Sequence, residues 1–172
     1  MRRFIAALTI TLMIALCLLP AIIAATSSSS SAPPGVSEWN RGFVDWVTWS
    51  QAIPIAKRER KPIMMVVHKT WCAACRAVGQ AFATSPEAEL LSKYFVMANV
   101  EDDDEPSDKK YAIQGQYNPR VLFLYPDGEV ADIVNEKGDP AHLHFYPEIS
   151  DLVKSMIQAL RLIAGVEEIG EL

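Results

Sequence analysis

The chain has 172 residues, 50% of them hydrophobic, with 16 basic and 21 acidic side chains and a net charge of −5. That is enough sequence for one domain, two at most, with a core that needs no staples. The acidic balance argues against a phosphate-backbone ligand, so no nucleic-acid partner is expected. Cys17, Cys72 and Cys75 are too few for a disulfide scaffold, and with three histidines too sparse for a multi-metal protein.

Arg2 and Arg3 precede an uncharged apolar run from Phe4 to Ala25, in the order of a secretory signal: basic flank, apolar stretch, small residues at Ala24 and Ala25. Residues 1–25 are therefore expected to be a signal peptide cut after Ala25; retained, the same run becomes an anchor helix, and only then is a membrane a partner. Either outcome delivers the remainder across a membrane. Cys17, inside the run, is read as apolar filler. Residues 26–37, rich in Ser and Pro, cannot bury apolar area and read as a linker. Without residues 1–25 the chain loses two arginines and its net charge becomes −7.

Residues 38–166 are expected to form the folded domain and 167–172 a tail. Trp39, Phe43, Trp46 and Trp49 are candidate core and edge aromatics. Ser50 to Arg60 has a helical pattern, with Pro54 tolerable near the first turn, and Lys61-Pro62 ends it. The unbroken apolar run Ile63 to Val67 predicts a strand covered on both faces. Cys72 to Phe82 suits a helix, and Ser85-Pro86-Glu87 starts another with an N-cap, a first-position Pro and an early acid. Phe95 to Val100 and Arg120 to Leu124 read as strands, and Pro126-Asp127-Gly128 turns the latter into a further strand at Val130 to Val134. Ser150 is expected to cap a last helix carrying Leu152, Val153, Met156, Ile157 and Leu160 on one face. Together these predict an α/β fold, a mixed sheet with helices on both faces.

Trp71-Cys72-Ala73-Ala74-Cys75 carries the chemistry. Cysteines at i and i+3 share a helix face within reach of a disulfide. A sulfur at the helix N-terminus faces unpaired N–H groups and the positive dipole end, which lowers its pKa and makes Cys72 the attacking nucleophile. Cys75, one turn in, is placed to resolve a mixed disulfide. Lys69 and Arg76 stand close enough in sequence to add positive potential. Two other chemistries suit the pair: a structural disulfide, stabilising by roughly 2 kcal/mol over so short a loop, and a zinc site completed by His68 with His142 or His144. Haem attachment is excluded, because residue 76 is Arg where that motif needs His.

Tyr117-Asn118-Pro119-Arg120 leads into a strand. Beside Cys72, Pro119 in a cis bond would leave backbone polar groups near the sulfur free, letting Asn118 pair main chain to main chain with an extended substrate; the plainer reading is a turn proline. Glu101 to Glu105 is a run of five acids without the alternation or Gly of a calcium loop, and is expected to be solvated. His142 and His144 alternate with Leu143 and Phe145, as exposed sites on an extended stretch do.

Trp-Cys-x-x-Cys after an apolar strand, with a Pro before a later strand, resembles the thioredoxin fold. Lys61 to Cys75, Asn99 to Pro106, Gly115 to Leu124 and Ile133 to Pro140 are similar to the small single-domain thioredoxin-like oxidoreductases of the endoplasmic reticulum, related to the anterior gradient proteins, over roughly residues 43–163. The resemblance implies a protein-disulfide oxidoreductase that acts on disulfide-containing client proteins with glutathione as redox partner. It further implies a redox-active Cys72–Cys75 disulfide, docking of clients at Trp71, Asn118 and Pro119, and no metal or bound organic cofactor. The rival it suggests is a non-catalytic, client-holding role of the anterior gradient type.

Three departures stand out. Ala73 replaces the usual Gly; Val66 occupies the position of the buried carboxylate that many thioredoxins carry, leaving His68 as a candidate proton relay; and Ile169-Gly170-Glu171-Leu172 keeps two residues of the Lys-Asp-Glu-Leu retrieval signal. The lumen of the endoplasmic reticulum is the expected location, with secretion the alternative.

Overall fold

The computed structural model describes residue 39 and residues 43–167. The expected signal peptide or anchor at 1–25, Cys17 within it, the linker at 26–37 and the Ile169–Leu172 tail lie outside the described residues. Among the described residues no helix is long and apolar enough to cross a membrane.

The chain runs β1 (Trp46–Thr48), α1 (Trp49–Glu59), β2 (Ile63–His68), α2 (Ala73–Phe82), α3 (Pro86–Ser92), β3 (Val96–Glu101), β4 (Arg120–Leu124) and α4 (Ile149–Ala164), with two short 3₁₀ turns between β3 and β4. The strands form one sheet in the order β1-β3-β2-β4. The first three are mutually parallel, and β4 runs antiparallel to β2, with Ile63 opposite Leu124 and Val67 opposite Arg120. This mixed sheet is buried on both faces, which is why β2 reads as an unbroken apolar run.

Strand periodicity sorts the side chains into two layers. Met64, Val66, Met97, Val121 and Phe123 point to a layer closed by α2, α3 and α4 through Val78, Phe82, Leu91, Leu152 and Met156. Ile63, Met65, Val67, Ala98, Leu122 and Leu124 point the other way, to α1 through Ala52 and Ala56. Trp39 and Trp46 are buried in the first layer, with Phe43 packed against it, and Trp49 meets Tyr111 edge-on at 4.8 Å beside the second.

Several boundaries differ from the sequence expectation, each for a local reason. Trp46–Thr48 is a parallel edge strand, too short for its alternation to be read. Helix α1 starts at Trp49, because Thr48 is its N-cap and Gln51 Oε1 accepts the Thr48 N–H at 3.1 Å. Pro54 consequently sits in the second turn, inside the helix, and not near its start. Helix α4 is capped at Glu148 and not Ser150: the amides of Asp151 and Leu152 both reach the Glu148 carbonyl. It ends at Gly165, whose φ of 65° is the left-handed conformation that glycine adopts without Cβ strain.

The strand expected at Val130 to Val134 does not form. The turn is made, with the Tyr125 amide donating to Glu129 O and Ala131 to Phe123 O, but pairing stops at a single bridge between Leu124 and Val130. Further along β4 the edge is taken by another segment, since the Val121 amide donates to His144 O. Ile133 turns into the core instead.

Candidate functional site

The site lies where β2 passes into α2. The β2 ladder ends at His68, and the turn through Thr70 and Trp71 delivers Cys72 as the N-cap of α2. The Cys72 backbone is extended (φ −80°, ψ 115°), and its sulfur accepts the Cys75 amide at 3.1 Å, the position a capping oxygen usually fills. A disulfide joins Cys72 to Cys75 across a Cα–Cα distance of 5.2 Å. Cys75 is 1% exposed and Cys72 8%, whereas Trp71 beside them is 74% exposed. The outer sulfur is thus the one a large substrate meets first.

Opposite stands the loop before β4. The Asn118–Pro119 peptide is cis, Pro119 is buried, and the Asn118 carbonyl oxygen lies 3.7 Å from Cys72 Sγ. Arg120, at the first position of β4, is fully buried; its Nη1 donates to the Tyr117 carbonyl at 2.7 Å and its Nη2 pairs with Glu105. On the other side the Tyr117 hydroxyl accepts the His144 amide at 2.9 Å, and its ring meets His142 edge-on at 4.6 Å. Burial raises the Tyr117 pKa above its ordinary value. His144 is therefore buried, contrary to the expectation of an exposed site, because its main chain pairs with β4; burial first, then the Arg120 charge, lowers its pKa.

The cations near the cysteines are engaged with backbone. Arg76 Nη1 donates to the Thr70 carbonyl at 3.1 Å, and Lys69 Nζ to the Asp102 carbonyl. The acidic run is likewise not simply solvated. Asp102 accepts both the amide (3.0 Å) and the hydroxyl (2.9 Å) of Thr70, the amide above all holding its carboxyl below the usual range, and Glu105 pairs with buried Arg120. Glu101, the last residue of β3, lies opposite His68 in the ladder, with Oε2 buried; burial is the main cause that raises its pKa.

His68 is 3% exposed, its Nε2 lies 2.6 Å from Asn99 Oδ1, and its ring centre is 6.0 Å from that of Trp39. An amide oxygen only accepts, so this Nε2 carries the hydrogen. His68, Asn99 and Glu101 stand at one end of neighbouring strands, on the face that α2 covers, while Val66 is purely core. The sequence expectation gives Asn99 and Arg120 no role in the site and reads Glu101 and Glu105 as solvated, whereas Glu101 Oε2 is buried and Glu105 pairs with Arg120; the alternation Met97, Asn99, Glu101 along β3 is the available signal for Asn99 and Glu101. Among the described residues no three His, Cys, Asp or Glu side chains are grouped to hold a metal ion: the two sulfurs are bonded to each other, and His142 pairs with Asp139 at 3.1 Å.

A family profile described as thioredoxin-like matches residues 45–126, so the domain is thioredoxin-like. Anterior gradient protein 3 of Mus musculus is 33% identical over 130 residues, covering 72% of this chain and 78% of its own, and that of Xenopus tropicalis is 31% identical over 135 residues, covering 77% and 81%. The anterior gradient protein 2 homolog of Homo sapiens is 29% identical over 141 residues, covering 79% of each chain. Among solved structures, a thioredoxin from Thermus thermophilus superposes with a TM-score of 0.49 at 17% identity, covering 74% of this chain and 98% of that one. The chain belongs to the thioredoxin-like family that includes the anterior gradient proteins.

Proposed function

We propose that the protein is a thiol–disulfide oxidoreductase acting on disulfides of client proteins in the secretory pathway, in the lumen of the endoplasmic reticulum, with glutathione as its redox partner. The observation that carries this is the setting of Cys72: an outer sulfur at a helix N-terminus, receiving the Cys75 amide and bonded to an inner sulfur one turn away. In the reduced protein the same amide and the helix dipole favour the Cys72 thiolate. That thiolate attacks one sulfur of a client disulfide; the client S–S bond breaks, and the leaving client thiolate takes a proton from solvent. Cys75 then gives up its proton and attacks Cys72 Sγ. The second client thiolate leaves, and the client has gained two electrons while Cys72–Cys75 is oxidised. Two glutathione thiols reverse the change by the same exchange, so no metal or bound organic cofactor is required. In our reading Trp71, Asn118 and Pro119 dock the client strand, with the Asn118 main chain as the pairing edge, and His68 relays the proton of Cys75.

Replacing Cys75 by Ser tests the central claim. The reduced variant should accumulate mixed disulfides with client proteins that carry disulfides, visible as reducible high-mass adducts, and should turn over no client. A client-holding protein of the anterior gradient type, a reading favoured by the large exposed Trp71 surface, would bind clients equally well with either residue and form no adduct.

A further inference from the structure

The segment Asp102 to Glu105 touches both sides of the disulfide. At one end Asp102 takes the amide and hydroxyl hydrogens of Thr70, two residues before Cys72, and its carbonyl receives Lys69 Nζ. At the other end Glu105 holds Arg120 Nη2, while Nη1 of the same guanidinium holds the Tyr117 carbonyl, next to the peptide that faces Cys72 Sγ. Asp102 adopts a φ of 47°, a left-handed conformation uncommon for a residue with a side chain and persistent where surrounding bonds over-determine it. A fully buried Arg120 needs a partner for its charge, and Glu105 supplies it, although the Arg120 Nε is buried without a hydrogen-bond partner.

We infer that Asp102 and Glu105 are positioning residues: one short acidic segment braces the two lips of the cleft, residues 70–72 and residues 117–120, and sets the gap that an extended client strand enters. The inference rests on the oxidoreductase reading for its client. A gap held at fixed width orients a peptide bond-for-bond beside Asn118, yet matters little to a disulfide that has no main chain to align. Loosening either anchor therefore relaxes both lips, because the four residues from Asp102 to Glu105 link Thr70 to Arg120 through side chains at each end.

Asp102→Ala and Glu105→Gln test this in the whole protein. The reduced variants are expected to react with an unstructured peptide carrying one internal disulfide at least roughly tenfold more slowly, through a raised KM. With dithiodipyridine, a small disulfide lacking a backbone, they should match the unsubstituted protein within about twofold, since nothing is being oriented. Amide hydrogen exchange should rise in both lips for each variant and stay unchanged in β2. Equal slowing toward both disulfides, exchange that rises in one lip alone, or loss of protection throughout β2 would overturn the brace. An unsubstituted protein inert toward both disulfides would instead sink the oxidoreductase reading, and the amide measurement would still decide the brace.

Discussion

Single residues around Cys72 are matched to their neighbours by charge and burial, and His144 shows how pH enters. Its imidazole is buried beside Arg120, so its pKa in the fold lies below the ordinary value of 6.5. A base with a depressed folded pKa binds more protons when unfolded, so stability is full above that ordinary value and is lost as pH falls below it. Changing His144 to Gln should flatten the fall in melting temperature between about pH 7 and pH 5; an unchanged slope would show that other groups carry it. Because the His144 amide holds the Tyr117 hydroxyl, acid should also loosen the Asn118–Pro119 loop before the rest of the fold. Glu101 works in the opposite sense: its raised pKa means that the fold favours the protonated acid, so its contribution to stability is lost as pH rises through the carboxylate range.

Elements meet at contacts that sequence propensity does not foresee. In α2 a Cβ added to Gly79 would stand 2.9 Å from Trp39 Cδ1 and Nε1, and Trp39 is itself wedged against Phe82, Trp46 and His68. Helix propensity alone would make Gly79→Ala stabilising by about 1 kcal/mol. Overpacking against an immobile indole costs about 1–3 kcal/mol, so the net change should be destabilising. A chemical-denaturation midpoint that rises in this variant would refute the close approach. Helix α2 thus accepts an unfavourable glycine so that the indole can lie flat against it, near the end of the sheet where the cysteines stand.

At the scale of the whole molecule, the sheet separates two cores that share no side chains. Leu122 faces α1, and Phe123 faces α2 to α4, from adjacent positions of β4. Truncating each to Ala should cost about 2–5 kcal/mol, and the two losses should add, having no common partner. Their sum approaches the ~5–15 kcal/mol total of a typical domain, so the double variant should be largely unfolded at room temperature by circular dichroism, while each single variant stays folded. Strong non-additivity would mean that the layers are coupled through the sheet.

Local order was legible in the chain: the apolar run of β2, the Ser85-Pro86 start of α3, the cysteine pair on a helix start and the proline before β4 all follow from short-range chemistry. Each depends on neighbours within a few residues, through backbone hydrogen bonding, side-chain periodicity or ring geometry. The partners of Arg120, the burial of His144, the loss of a strand at Val130 to Val134 and the clamp of Asp102 on Thr70 were decided by packing. The contacts of Glu105 with Arg120, Val121 with His144 and Thr70 with Asp102 join residues 15 to 32 positions apart, and whether a charge is solvated or buried depends on which distant surface closes over it. A pattern of residue types records which side chains need partners, whereas the tertiary structure alone selects them, because desolvation is a property of the assembled surroundings and not of the side chain itself.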